Sequence, residues 1–231
     1  MGNYLGGHEV VLQKGWLSQL PPSFQRDVLD RCRVKNFKRG EHIYSVGDPA
    51  GGMFGLVAGG VGISVAPREQ GPYVAHFARP GSWFGEAAAI TGEPRRVGLA
   101  ATRNSRLLHL PLHAIHEIVC LDPAAWRLFA IATIGHLDSA IGAYDDLMIR
   151  DPVKRCIAVL LRLGNRQMAT VSDSSPVEID LSQDDIAILA NVARTTLNAA
   201  LRDLEKTGKL ELSYRRIRIV SPGAMRDMLH A

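Results

Sequence analysis

The stretch from Asp122 to Arg150 limits the choice of folds more than any other part of the chain, because it reads as one unbroken helix with more apolar surface than a single face can bury. Trp126, Thr133, Ala140 and Leu147 recur every seven residues, with Ala130, Leu137 and Tyr144 between them, so the two sets alternate at spacings of three and four along one seam. Ile134, Ile141 and Met148 form a second row beside it. A stripe this wide predicts two partners, a twin helix from a second subunit and the body of the chain's own N-terminal region. A buried core helix in a monomer is the competing reading. Asp122-Pro123 supplies an N-cap followed by proline at the first helical position, and Asp151-Pro152 repeats that signal past the far end. The second signal opens a new unit. The expected division is therefore 1–121, a dimerisation helix over 122–150, and 151–231.

At 231 residues the chain exceeds what one small core organises, which predicts two domains. No run of about 18 apolar residues occurs, so no membrane span is expected. The first residues, MGNYLGGHEVVLQKGW, carry neither a secretion signal nor a myristoylation pattern, and a cytoplasmic location is expected. Cys32, Cys120 and Cys156 are too far apart for a disulfide framework or a metal cluster. The net charge of +4 is modest and divides evenly about Arg150, with fifteen basic and thirteen acidic residues before the break and twelve and ten after it. Local charge is more informative. Arg194 to Arg218 holds seven basic and three acidic residues, whereas Asp173 to Asp185 holds five acidic and none basic, so any polyanion is expected to meet the last third of the chain.

Apolar residues at helical spacing predict a helix from Trp16 to Cys32. From Val34 to Leu110 the chain changes to short β-branched or aromatic runs with Gly40, Gly47, Gly59, Gly60 and Gly81 at the corners, which predicts a compact antiparallel barrel or jelly roll. The segment GSWFGEAAAITGEPRR, Gly81 to Arg96, breaks that pattern with one or two helical turns after Gly85. Free amides at Gly85 to Ala87, with Glu86 and Arg95 nearby, form a cradle for a small ligand bearing a phosphate and a ribose. The amides and Arg95 would hold the anion, and Glu86 would accept from a hydroxyl. No Walker-type or GxGxxG loop is present.

The order of Gly40-Glu41, Gly47-Asp48, Gly59-Gly60, Gly81 and FGEAA…EPR resembles the cyclic nucleotide-binding domain of the cyclic AMP receptor protein and fumarate-nitrate regulator (Crp/Fnr) superfamily, and the likeness extends over almost the whole chain. It implies an α+β protein: a β-roll whose cassette uses Gly85, Glu86 and Arg95 for a cyclic phosphate and its ribose, a long dimer helix, and a DNA-binding domain. It also implies cyclic AMP or another cyclic nucleotide as effector and RNA polymerase as a partner; no haem or metal is expected, since an iron-sulfur member would need a cysteine cluster near the N-terminus and none is present. Members that bind cyclic AMP place serine or threonine after the phosphate arginine, where this chain has Arg96, and present hydroxyls to the base where it has Ala140 and Ile141. Each polar base atom left unpaired there costs about 1 to 3 kcal/mol. A second arginine suits more negative charge, or fills the pocket of a regulator that needs no effector. A haem or metal sensor is a further reading: His76 is the one haem candidate, and His109, His113 and His116 have a ligand-like spacing that a solvated helix face explains better.

After Asp151, PVKRCIAVLLRL reads as an amphipathic helix and Gly164 to Pro176 as a mobile polar loop. Ser182 and Asp185 form a capping pair ahead of Ile186, Ala187 and Leu189, and a break at Asn191-Val192 leads into a second helix, Arg194 to Thr207, stopped by Gly208. Two short strands around Ser213 to Arg216 complete a winged helix-turn-helix. Leu197, Ala200, Leu201 and Leu204 face inward, which leaves Arg194, Thr195, Asn198, Ala199 and Arg202 for a major groove. Arg194 suits a guanine edge, Asn198 an adenine, and Thr195 either or a thymine methyl. Arg202, Lys209, Arg215 and Arg216 suit phosphates, while Ser182, Gln183 and Thr196 complete the candidate DNA-contacting set. The superfamily's recognition helix typically runs Ser-Arg-Glu-Thr-Val-x-Arg; here Arg194 and Thr196 match, whereas Ala193, Thr195 and Ala199 depart from it. No nucleophile, base and orienting group occur together at recognisable spacing, so the expected function is a homodimeric regulator on pseudo-palindromic double-stranded DNA and not an enzyme.

Overall fold

The computed structural model describes residues 8–65, 73–164, 176–179, 181–213 and 216–230. The chain divides into two compact units, Met1–Leu137 and Asp138–Ala231. The first begins with α1 (Glu9–Gln13), a 3-10 turn at Leu17–Gln19 and α2 (Pro22–Asp30). The one helix expected from Trp16 to Cys32 is thus two pieces. Pro21 forces Leu20 into extended backbone, at φ −99° and ψ 162°, and Pro22 then starts α2 from its first position, where no amide is needed.

Eight strands follow: β1 (Arg33–Phe37), β2 (His42–Tyr44), β3 (Met53–Ala58), β4 (Val61–Val65), β5 (Tyr73–Ala78), β6 (Trp83–Phe84), β7 (Gly98–Ala101) and β8 (Ser105–Leu110). Helix α3 (Glu86–Thr91) interrupts them after β6, and α4 (Leu112–Leu121) closes them. They pair antiparallel in two four-stranded sheets, β1-β8-β3-β6 and β2-β7-β4-β5, as the jelly-roll reading required. The period of two along β8 sorts the core. Leu107 packs with Tyr44, Phe54, Leu56, Phe84 and Leu99, while Leu108 and Leu110 pack with the helices. There Trp16, Phe24 and Phe129 sit with centroids 5.2 to 5.9 Å apart, and Trp83 lies 5.5 Å from Trp16. Burying a side chain such as Phe129, which is 1% exposed, contributes about 1.5 to 3 kcal/mol.

The long helix, α5 (Ala125–Met148), starts two residues after Pro123, the first helical position its sequence suggested. Asp122 ends α4, and its side chain accepts from the Ala124 amide at 3.0 Å while its carbonyl accepts from the Ala125 amide at 3.0 Å. Asp122-Pro123 is therefore a lead-in turn and not the first helical turn. Ala125, Phe129 and Ala132 are buried in the N-terminal core, with Trp126 half-buried beside them. Further along, Ile134, Leu137, Ile141, Tyr144 and Met148 are all more than half exposed.

The second unit contains α6 (Pro152–Leu163), β9 (Val177–Ile179), α7 (Gln183–Leu189), α8 (Arg194–Lys206), β10 (Leu210–Ser213), β11 (Arg216–Ile219) and α9 (Pro222–His230). Asp151 caps α6 by accepting from the amides of Val153 at 2.7 Å and Lys154 at 3.1 Å. Ser182 and Asp185 form the expected reciprocal capping box at α7. The winged helix-turn-helix is present, with a three-stranded sheet, β10-β11-β9, where two strands were expected. The closing helix α9 was not read from the sequence either. Most of the polar loop read from Gly164 to Pro176 lies outside the described residues.

Candidate functional site

Strand β6 stops at Phe84, and Gly85, at φ +98°, turns the chain into α3. A Cβ on Gly85 would lie 2.4 Å from Arg95 Nη1 and 2.6 Å from the Gly52 carbonyl oxygen, so only glycine lets the guanidinium approach this closely. Arg95 is 4% exposed. Its Nη1 donates to the Gly85 carbonyl at 3.0 Å, its Nη2 donates to the Gly52 carbonyl at 2.7 Å, and its central carbon lies 4.2 Å from the centre of the Tyr44 ring. The remaining nitrogen, Nε, is buried and has no hydrogen-bond partner among the described residues. Burial lowers the guanidinium's pKa, against the opposing pull of Tyr44, Glu86 and Asp48.

Glu86, the first residue of α3, is also 4% exposed. Its Oε1 lies 2.8 Å from Nδ1 of His136, a residue of α5 whose ring is parallel to that of Phe84 at 6.1 Å. Burial pulls the His136 pKa down, but the hydrogen bond and charge of Glu86 together with the Trp83 backbone carbonyl outweigh it, and the net shift is upward. Two acceptors around one ring favour the imidazolium, which donates from both nitrogens.

The structure thus gathers Gly85, Glu86 and Arg95 as the sequence predicted, but gives the latter two partners from within the chain. Ala87 is half-buried and Arg96 exposed. Ala140 and Ile141 are exposed on the portion of α5 that belongs to the second unit. His109 is stacked on Phe54 at 4.4 Å, with Nε2 2.7 Å from the Gly51 carbonyl oxygen. Among the described residues no three histidine, cysteine, aspartate or glutamate side chains group as metal ligands. Tyr44 and His136 escaped the sequence reading. A histidine one helical turn before Ala140, inside an otherwise apolar stripe, was the available signal for His136.

On α8, Leu197, Ala200, Leu201 and Leu204 are buried as expected, and Arg194, Thr195, Ala199 and Arg202 are exposed. Thr196 and Lys209 are half-buried, as are Ser182 and Gln183 at the start of α7. Two reading residues differ from expectation. Arg194 is paired with Asp184 at 3.0 Å, although both are well exposed and such a pair is worth only about 0 to 1 kcal/mol. Asn198 is half-buried, with its Oδ1 unpartnered among the described residues, because it sits at the border of the buried stripe and not at the crest of the outer face. On the wing, Arg216 lies 3.6 Å from Glu178. Arg215 lies outside the described residues. No described helix is long and apolar enough to cross a membrane.

A family profile for the cyclic nucleotide-binding domain matches residues 34–120, and one for the Crp-like helix-turn-helix domain matches 154–228. The chain is 22% identical over 211 residues to a CRP-like cAMP-activated global transcriptional regulator of Mycobacterium tuberculosis, covering 91% of this chain and 94% of that protein. FixK2 from Bradyrhizobium japonicum shares the fold with a TM-score of 0.70 at 21% identity, over 86% of this chain and 96% of that one. The c-di-GMP responsive global regulator CLP of Xanthomonas campestris gives a TM-score of 0.63 at 18% identity, over 86% and 99%. Because both profiles match in this order on one chain, the protein belongs to the Crp/Fnr family of transcription regulators.

Proposed function

We infer that two copies of the chain associate along α5 and present paired α8 helices to successive major grooves of a pseudo-palindromic duplex. The observation that carries this reading is the exposed apolar row of Ile134, Leu137, Ile141, Tyr144 and Met148, which one chain leaves in water on a helix otherwise anchored in its own core. Burying that row against its twin is what a two-fold dimer supplies. Thr195, Ala199 and Arg202 lie on the open face of α8, with Arg194 in a weak pair beside them, and they read base edges or phosphates there. RNA polymerase is the partner through which such a dimer acts on transcription, in the cytoplasm.

In the cassette, the unpartnered Nε of Arg95 and the cradle that only Gly85 permits suit the phosphate of a cyclic nucleotide, and Glu86 suits its ribose. Such a ligand would engage Arg95 through the donors that the Gly52 and Gly85 carbonyls leave open and Glu86 through the oxygen that His136 does not hold, or would compete with those contacts. It shifts the DNA-binding equilibrium only by its differential affinity for the two states. A second reading, a regulator that needs no effector, is favoured by those same internal contacts, which already engage both residues.

Selection of random duplexes by the purified protein, with and without cyclic AMP, cyclic GMP and a cyclic dinucleotide, tests both. Recovery of a two-fold symmetric sequence by a dimeric species supports the DNA reading. A monomer at micromolar concentration, or indifference to every duplex at low salt, overturns it. Equal enrichment with and without every nucleotide selects the effector-independent form.

A further inference from the structure

Within the C-terminal unit one side chain joins the end of α5 to the turn that precedes the reading helix. Arg155, in the first turn of α6, donates from Nη1 to the Ile149 carbonyl at 2.9 Å, from Nε to the Ala190 carbonyl at 2.7 Å, and from Nη2 to the Asn191 carbonyl at 3.2 Å. Ile149 directly follows α5, Ala190 ends α7, and Asn191 forms the turn into α8. Asn191, at φ 48°, is the only described residue other than glycine with a positive φ. Asparagine tolerates that backbone better than most residues but does not prefer it. The helix beyond starts without a side-chain cap, since Ala193 offers no hydrogen-bonding group to its first turn.

The guanidinium is planar, so three carbonyls bound to its edge cannot move independently of one another. Its anchor is firm as well. Asp146, in the last turn of α5, is paired with Arg162 of α6 at 2.6 Å, with side chains 6% and 9% exposed, so α6 is fixed to α5 by a second, buried tie.

We propose that Arg155 is a positioning residue that sets the orientation of α8 relative to the end of α5, so that rotation or fraying of α5 near Ile149 displaces the Ala190–Asn191 turn and the reading helix with it. It touches no DNA itself. The inference rests on α8 as the reading helix, and it assigns the transmitting part to the C-terminal unit's own side chains.

The test uses the full chain carrying Arg155→Lys, which keeps the charge but replaces the fork with a single ammonium that cannot span three carbonyls. Hydrogen exchange at residues 190 to 196 is expected to accelerate about tenfold, the loss of roughly one net hydrogen bond, with α9 unchanged. Affinity for duplexes selected by the unaltered protein is expected to fall about tenfold, while affinity for an unrelated duplex at the same salt stays within about twofold. A parallel loss of both affinities with a lowered melting temperature marks a merely structural contact and overturns the proposal, as does unchanged affinity for the selected duplexes. If the unaltered protein binds no duplex, the DNA reading fails and exchange alone decides Arg155: unchanged protection of the turn overturns its positioning role.

Discussion

Gly85 and Gly92 bracket the same short helix, both with left-handed backbone, yet alanine at the two positions meets different surroundings. At Gly92, φ +73°, a Cβ meets nothing within 4 Å, so Gly92→Ala costs only the backbone strain, about 1 to 2 kcal/mol. At Gly85 the same strain applies, but the Cβ falls 2.4 Å from Arg95 Nη1 and 2.6 Å from the Gly52 oxygen. The guanidinium must withdraw, leaving buried polar groups unpaired at a further cost of about 1 to 3 kcal/mol. Gly85→Ala is therefore expected to destabilise by about 2 to 5 kcal/mol. The assay is urea denaturation followed by tryptophan fluorescence. Trp16, Trp83 and Trp126 all lie in the N-terminal unit, so the signal reports that unit alone. With m at about 2 kcal/mol per molar, the midpoint falls by about 1 to 2.5 M for Gly85→Ala and about 0.5 to 1 M for Gly92→Ala, at one fixed protomer concentration. Equal shifts for the two variants refute the argument that the cradle is closed around Arg95.

His136 has its pKa raised by its folded surroundings, so the stability it contributes is fully present below its ordinary value of 6.5 and is lost as pH rises through the raised one. Histidine NMR titration should show that elevation, and Glu86→Gln should abolish it; an unperturbed titration in the unaltered protein contradicts the pair. Removing one partner of the Asp146–Arg162 pair, as in Arg162→Ala, strands a buried charge and is expected to cost about 3 to 5 kcal/mol, read by the thermal melt of helical circular dichroism. The double replacement Asp146→Leu with Arg162→Met recovers most of that loss, and failure to do so assigns the cost to packing. Ile141→Asp places a charge in the exposed row of α5 and is expected to yield a folded monomer by sedimentation, whereas an unchanged dimer refutes association through that row.

Local chemistry made much of this protein legible in one dimension. Asp151-Pro152 and the Ser182–Asp185 box are caps formed by neighbours in sequence, so the starts of α6 and α7 follow from short-range bonding alone. The period of two through β8 and the buried stripe of α8 likewise follow from which faces must leave water, and the glycine-bracketed FGE segment predicted the short helix after Gly85. What lay beyond that reading depends on pairs far apart in the chain. Arg95 reaches Gly52 and Tyr44, His136 reaches Glu86 fifty residues away, and Arg155 reaches Ala190 and Asn191. A guanidinium or imidazole carries the same donors whether it meets a ligand or a carbonyl of its own chain, so residue type named the candidates while only the tertiary fold decided what they hold. The same reason explains Arg194 and Asn198. Helical spacing put both near the reading face, but the position of Asp184 and the edge of the buried stripe determined that one is lightly paired and the other half-buried.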